Sequence, residues 1–94
     1  MPKPAYRLPR PYFRLGEYLG HLRSESKFTQ REVSLALGYS SAQFISNFER
    51  GIAIPPLTKL RALLKLVGGD PDRAIDLLLA CERELLREAL TRKH

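Results

Sequence analysis

The sequence is poor in the residues that most often carry covalent, redox or metal chemistry. A lone cysteine, Cys81, excludes an internal disulfide and leaves no thiolate cluster to hold a metal, which fits a reducing compartment. It reads as packing material. Tryptophan is absent, and of the two histidines His21 has no second His or Cys nearby, so no metal is expected. No apolar run approaches the ~20 residues that span a bilayer, and the N-terminus lacks a run of signal-peptide length, so a soluble, cytoplasmic protein with no membrane partner is expected. There is no paired-carboxylate cleft, no nucleophile with an adjacent base, no Gly-rich phosphate loop and no strand periodicity. Ser24, Ser26 and His21 are neighbours in sequence only. The chain therefore reads as a non-enzyme with no small-molecule cofactor.

What is present is a single small domain of 94 residues, 44% hydrophobic and basic overall at +6. The charge is uneven. Residues 1–14 carry four bases and no acid, residues 15–51 and 71–94 are each balanced, and residues 52–70 are net +2. A basic excess of this kind suits a polyanion.

Three divisions follow: a Pro-rich basic arm over residues 1–14, a domain over 15–70 and a C-terminal helix over 71–94. Pro2, Pro4, Pro9 and Pro11 forbid a regular helix in the arm and favour extended backbone. Its bases Lys3, Arg7, Arg10 and Arg14 are candidates for an AT-rich minor groove or for phosphates. Tyr6, Tyr12 and Phe13 favour docking of the arm over a free tail. Leu15, Tyr18, Leu19 and Leu22 then fall at helical spacing as far as about Ser26, with Gly16 and Gly20 reserving room for a close neighbour. Phe28 is assigned to the core.

The chain is organised around TQREVSLALGYSSAQFISNFERG, residues 29–51. Thr29 followed three residues later by Glu32 makes a capping box, and Gly38 can take the positive φ that ends a helix. Ser41 is the expected N-cap of a second short helix, with Ile45 and Phe48 on its apolar face. Its other face carries Ala42, Gln43, Ser46 and Asn47. Short uncharged amides on a helix can pair with base edges in a major groove, which is wide enough to admit a helix.

These residues resemble the helix-turn-helix of the Cro and phage-repressor (XRE) family over about Leu15 to Gly68. The points of likeness are Thr29-Gln30 opening the second helix, Gly38 ending it, and the Ile45, Phe48, Glu49, Arg50, Gly51 run. The turn Gly38-Tyr39-Ser40-Ser41 is one residue longer than the commonest family spacing, and Ala42 replaces a longer polar side chain. The resemblance implies an all-α five-helix bundle with a basic N-terminal arm and a long C-terminal helix. It further implies base contacts from Ala42, Gln43, Ser46 and Asn47, with Ala42 limited to a thymine methyl. Phosphate contacts are implied for Gln30, Ser41, Arg50, the Gly51 amide and Lys59, Gln30 also bracing the first recognition residue. Glu49 is assigned to an intramolecular partner, Arg50 or a nearby amide.

After Pro55 and Pro56, a fourth helix carries Leu57, Leu60, Leu63, Leu64, Leu66 and Val67 and ends at Gly68-Gly69. Asp70 caps a fifth of about twenty residues, with Pro71 at its first position. Its apolar positions form two seams, Ile75, Leu78, Leu85 and Ala89 beside Leu79, Leu86 and Leu90, one to close the core and one for a partner. Leu78, Leu79, Leu85, Leu86, Ala89 and Leu90 are the candidate dimer interface, because two-fold pairing sets recognition helices about one DNA turn apart. The expected function is sequence-specific double-stranded DNA binding by a homodimeric transcriptional repressor, bacterial or phage-encoded. The alternative is an antitoxin or adaptor that binds a protein partner through the last helix.

Overall fold

A computed structural model describes residues 10–92. They form five helices and, among the described residues, no strand: α1 (Phe13–Glu25), α2 (Gln30–Ala36), α3 (Gln43–Glu49), α4 (Leu57–Val67) and α5 (Pro71–Thr91). The all-α, five-helix expectation holds. Lys3 and Arg7, assigned to the arm, lie outside the described residues.

Helix α1 is the hub. Leu15 and Leu19, one turn apart, are fully buried among Val33 and Leu37, Ile45 and Phe48, and Leu60, Leu63, Leu64 and Val67. Helices α3, α4 and α5 pack directly on it. Phe28 packs against the same core.

The helix ends follow local chemistry. The Thr29 hydroxyl accepts from the Glu32 amide while the Glu32 carboxylate accepts from the Thr29 amide, a closed capping box. At the end of α2 the Gly38 amide bonds Leu35 O and the Tyr39 amide bonds Ser34 O. At the end of α3 the Gly51 amide bonds Phe48 O and the Ile52 amide bonds Asn47 O. Both are Schellman closures, with Gly38 and Gly51 at φ +87° and +78°. Asp70 caps α5 by accepting from the Asp72 amide at 3.0 Å.

Three expectations are corrected. Helix α1 begins at Phe13, so Arg14 belongs to it and not to the arm. Ala42 occupies the N-cap of α3, and Ser41 supports the helix from one residue earlier, its hydroxyl accepting from the Gln43 amide at 3.3 Å. On α5 neither leucine seam closes the core; that face is Ala74 and Cys81, fully buried, with Leu77 and Leu78 partly buried. The outward face of the helix carries Leu79, Leu86 and Leu90. Ile75 is 52% exposed and Leu90 82%, and residues 83–92 are all exposed, so the end of α5 runs past the body of the domain.

Candidate nucleic-acid interface

Helix α3 is only seven residues long, too short to hold itself together in water, so its position depends on packing. Below it lies Gly16 of α1. A Cβ at Gly16 would stand 2.4 Å from Phe48 O and 2.6 Å from Glu49 O, so only glycine admits the α3 backbone there. Gly20, one turn on, faces the Glu49 side chain. The close approach anticipated at these two glycines is therefore an approach by α3.

Glu49 gathers three elements. Its carboxylate accepts from Arg23 Nε of α1 at 2.5 Å, from Arg23 Nη2 at 3.1 Å and from Gln30 Nε2 of α2 at 2.9 Å. The Arg23 and Glu49 side chains are 20% and 12% exposed, so the pair is largely desolvated. Arg23 also donates to Phe28 O at 2.8 Å. The hydrogen bond from Glu49 pushes the Arg23 guanidinium pKa further above its already high value, although burial opposes the charge. Glu49 thus has an intramolecular role, as expected, but the charge it meets is Arg23 and not Arg50, and the amide is that of Gln30. Gln30 braces Glu49 instead of a recognition residue. Arg23 was missed because its partner lies 26 positions away, beyond any local pattern.

The turn between α2 and α3 is rigidified by aromatics. Tyr39 stacks on Phe44 with centroids 4.6 Å apart and meets Phe48 edge-on at 6.2 Å. Ser34, buried, donates its hydroxyl to Ser41 O. Lys59 of α4 donates to Leu37 O at 2.5 Å and sits 5.3 Å from the Tyr39 ring centre, where a cation suits the C-terminus of α2. One of the three N–H groups of its ammonium is engaged within the domain.

The Gly51 amide is likewise engaged, donating to Phe48 O at 3.1 Å in a buried turn. It cannot serve a phosphate while that bond holds. The Gly51 carbonyl accepts from the Tyr12 amide at 2.9 Å, which brings the start of α1 against the end of α3. There Arg10 stacks over Phe13 at 4.5 Å and donates to Arg50 O at 2.6 Å. Arg14 turns the other way and pairs with Glu84 of α5 at 3.2 Å, both side chains exposed. Tyr12 donates to Glu82 at 3.3 Å; burial first and the Glu82 carboxylate second push its phenol above the usual value.

The face of α3 turned away from the core carries Gln43, Ser46, Asn47 and, just after the helix, Arg50. Asn47 Oδ1 accepts from Gln43 Nε2 and from Arg50 Nη2, each at 2.9 Å. Gln43 and Arg50 are exposed; Ala42, Ser46 and Asn47 are half-buried at the edge of the same surface. The four base-contact candidates are therefore contiguous.

A family model described as a helix-turn-helix domain matches residues 14–77, well over half of the chain. The chain belongs to that family. The helix-turn-helix is α2 and α3 with the turn between them, and the family is one of XRE-like DNA-binding domains. The fold is also similar to that in a crystal structure of the clp gene regulator ClgR from Corynebacterium glutamicum, with a TM-score of 0.63 and 23% identity over 90% of each chain. At that identity the likeness speaks for the fold alone. No curated protein matches the sequence. No helix among the described residues is long and apolar enough to cross a membrane.

Proposed function

We propose that this helix-turn-helix protein is a sequence-specific, double-stranded DNA-binding transcriptional regulator, acting as a homodimeric repressor that reads the major groove with α3. The observation that carries the reading is the division of α3 into two faces. Ile45 and Phe48 are buried in the core, while Gln43, exposed, and Ser46 and Asn47, half-buried, form an uncharged hydrogen-bonding surface on the other side. An exposed face without carboxylates is what a base-reading helix needs beside phosphates. Arg50, with N–H groups to spare beyond Asn47, and Arg10 beside it supply cations at the end of α3 for the DNA backbone.

The test is a pair of anisotropy titrations against the duplex upstream of the protein's own gene and a shuffled duplex of equal composition. The native duplex is expected to bind more tightly. Gln43→Ala or Asn47→Ala should each cost about 1–3 kcal/mol on that duplex and flatten the preference. Equal, salt-sensitive affinity for both duplexes would sink sequence-specific reading.

Dimerisation is assigned to the outward face of α5, where Leu79, Leu86 and Leu90 are exposed with Ile75 on one helix of 21 residues. Because these side chains lie outside the core, Leu86→Asp should leave the fold intact. In sedimentation velocity the native chain is expected to be a dimer and L86D a monomer, with weaker operator binding. A native chain that stays monomeric at operator-saturating concentrations would refute the two-fold arrangement. The alternative of a protein partner, as for an antitoxin or adaptor, is supported by an apolar groove of about 320 Å³ between α4 and α5, lined by Leu60, Leu64, Ala74 and Leu78.

A further inference from the structure

We infer that Arg50 acts as a positioning residue that fixes the hydrogen-bonding polarity of Asn47, so that Asn47 reads guanine while Gln43 retains the capacity to read adenine. The inference rests on the reading of α3 as the base-contacting helix and adds to it which bases two of its side chains select.

A guanidinium has donors only, so the Asn47 atom that meets Arg50 Nη2 at 2.9 Å must be the amide oxygen. The same oxygen accepts from Gln43 Nε2 at 2.9 Å. A carbonyl oxygen has two lone pairs, and both are now occupied. What Asn47 has left for a ligand is Nδ2, two donors and no acceptor.

That inventory is incompatible with the usual pairing of asparagine with adenine, which needs the oxygen to accept from N6 while the nitrogen donates to N7. It suits guanine, whose major-groove edge presents two acceptors, N7 and O6. Adenine would offer Asn47 a single acceptor and leave its N6 donors facing an oxygen that is already filled. Gln43 differs. One Nε2 hydrogen goes to Asn47, but the other hydrogen and Oε1 stay free, so an acceptor–donor pair for adenine survives.

Arg50 is held in place for this task from both ends. Its carbonyl accepts from Arg10 Nε at 2.6 Å, and Arg10 is itself stacked on Phe13. The backbone that follows is locked by Gly51 in its Schellman closure. Ala42 is too short to compete for Asn47, so the three side chains Gln43, Asn47 and Arg50 form a line along the outer face with one shared acceptor in the middle.

The experiment is selection of bound sequences from a random duplex pool by the full-length protein, repeated with Asn47→Ala, Arg50→Met and Gln43→Ala, each checked for native helicity. The Asn47 position is the one whose preference disappears in Asn47→Ala. The expected result is guanine there, favoured about ten-fold over adenine in the native protein. Arg50→Met frees one lone pair of Asn47 and should admit adenine nearly as well as guanine at that one position, leaving the Gln43 position unchanged. Gln43→Ala frees the other and should broaden the same position while erasing its own.

A phosphate-only role for Arg50 would weaken all sequences alike and move no base preference. That outcome overturns the inference, as does adenine at the Asn47 position in the native protein, or an Asn47→Ala variant that alters no position; in each case sequence-specific reading itself would stand. A pool from which the native protein selects nothing overturns the base-contacting reading of α3, and this inference with it.

Discussion

Replacing Gly51 with alanine is expected to destabilise the domain by about 2–5 kcal/mol, combining about 1–2 kcal/mol for a left-handed non-glycine residue with backbone overpacking of about 1–3 kcal/mol. Gly51 holds φ +78°, and a Cβ there would lie 2.4 Å from both Cα and N of Phe13 and 2.7 Å from Tyr12 C. Every contacting atom is backbone, so no rotamer change can relieve the clash. Relief requires separating the start of α1 from the end of α3, which breaks the Tyr12-to-Gly51 hydrogen bond and shifts Arg50. For a domain of this size the melting temperature should fall by about 8 °C or more. Gly68→Ala is the matched control, because Gly68 has φ +73° but open space around its missing Cβ. It should lose only the conformational part, about 4–8 °C for each kcal/mol. Thermal unfolding followed by circular dichroism decides the matter: equal losses at the two glycines would mean that the α1–α3 junction is not tight.

The second large effect is expected at Glu49. Glu49→Ala leaves the Arg23 guanidinium, 20% exposed, with only Phe28 O as a partner and strands the Gln30 amide. Removing one member of a fully buried pair costs about 3–5 kcal/mol, because the remaining charge is left desolvated, and the residual exposure of this pair puts the loss at the lower figure. A small domain has only about 5–15 kcal/mol in total, so the variant should melt at least about 12 °C lower and approach unfolding at 37 °C. Arg23→Ala should be similarly damaging, and the double variant should lose much less than the two singles added together. Little dependence on salt is expected, since the pair is shielded from the ionic atmosphere. Additive losses in the double-mutant cycle would show that Glu49 and Arg23 act independently, and that α3 is held by apolar packing alone.

The two effects concern the same question, how a helix of seven residues is held still enough to present a pattern. Gly16 and Gly51 set its distance from α1, and Glu49 sets its rotation by tying it to α1 and α2 at once. Buried Ile45 and Phe48 supply the adhesion.

Much of this was legible in the chain because it depends on neighbours a few residues apart. Thr29 with Glu32, Gly38, Asp70 with Pro71 and Gly68-Gly69 act through hydrogen bonds within one turn, and each ends or begins a helix where expected. The apolar spacing of Leu15 and Leu19, of Ile45 and Phe48, and of Leu60, Leu63, Leu64 and Val67 likewise fixed which sides of α1, α3 and α4 face inward. Side-chain partners were not legible. In the chain the Gly51 amide looks like a free phosphate ligand until Phe48 O is seen to occupy it, and nothing near Lys59 announces that one of its N–H groups goes to Leu37 O. On α5 the leucines outweigh Ala74 and Cys81 in any hydropathy pattern, yet the small pair is buried while Leu79, Leu86 and Leu90 stay exposed, because which face is covered depends on where the other helices lie and not on apolarity alone. The sequence by itself determined the helices, their caps and the polar face of α3, since those follow from local hydrogen bonding and periodicity. Only the tertiary structure decided that Arg23 and Gln30 meet Glu49, that Arg10 meets Arg50 and that the leucines of α5 face outward, because those pairings are made across distances at which one-dimensional spacing carries no geometric information.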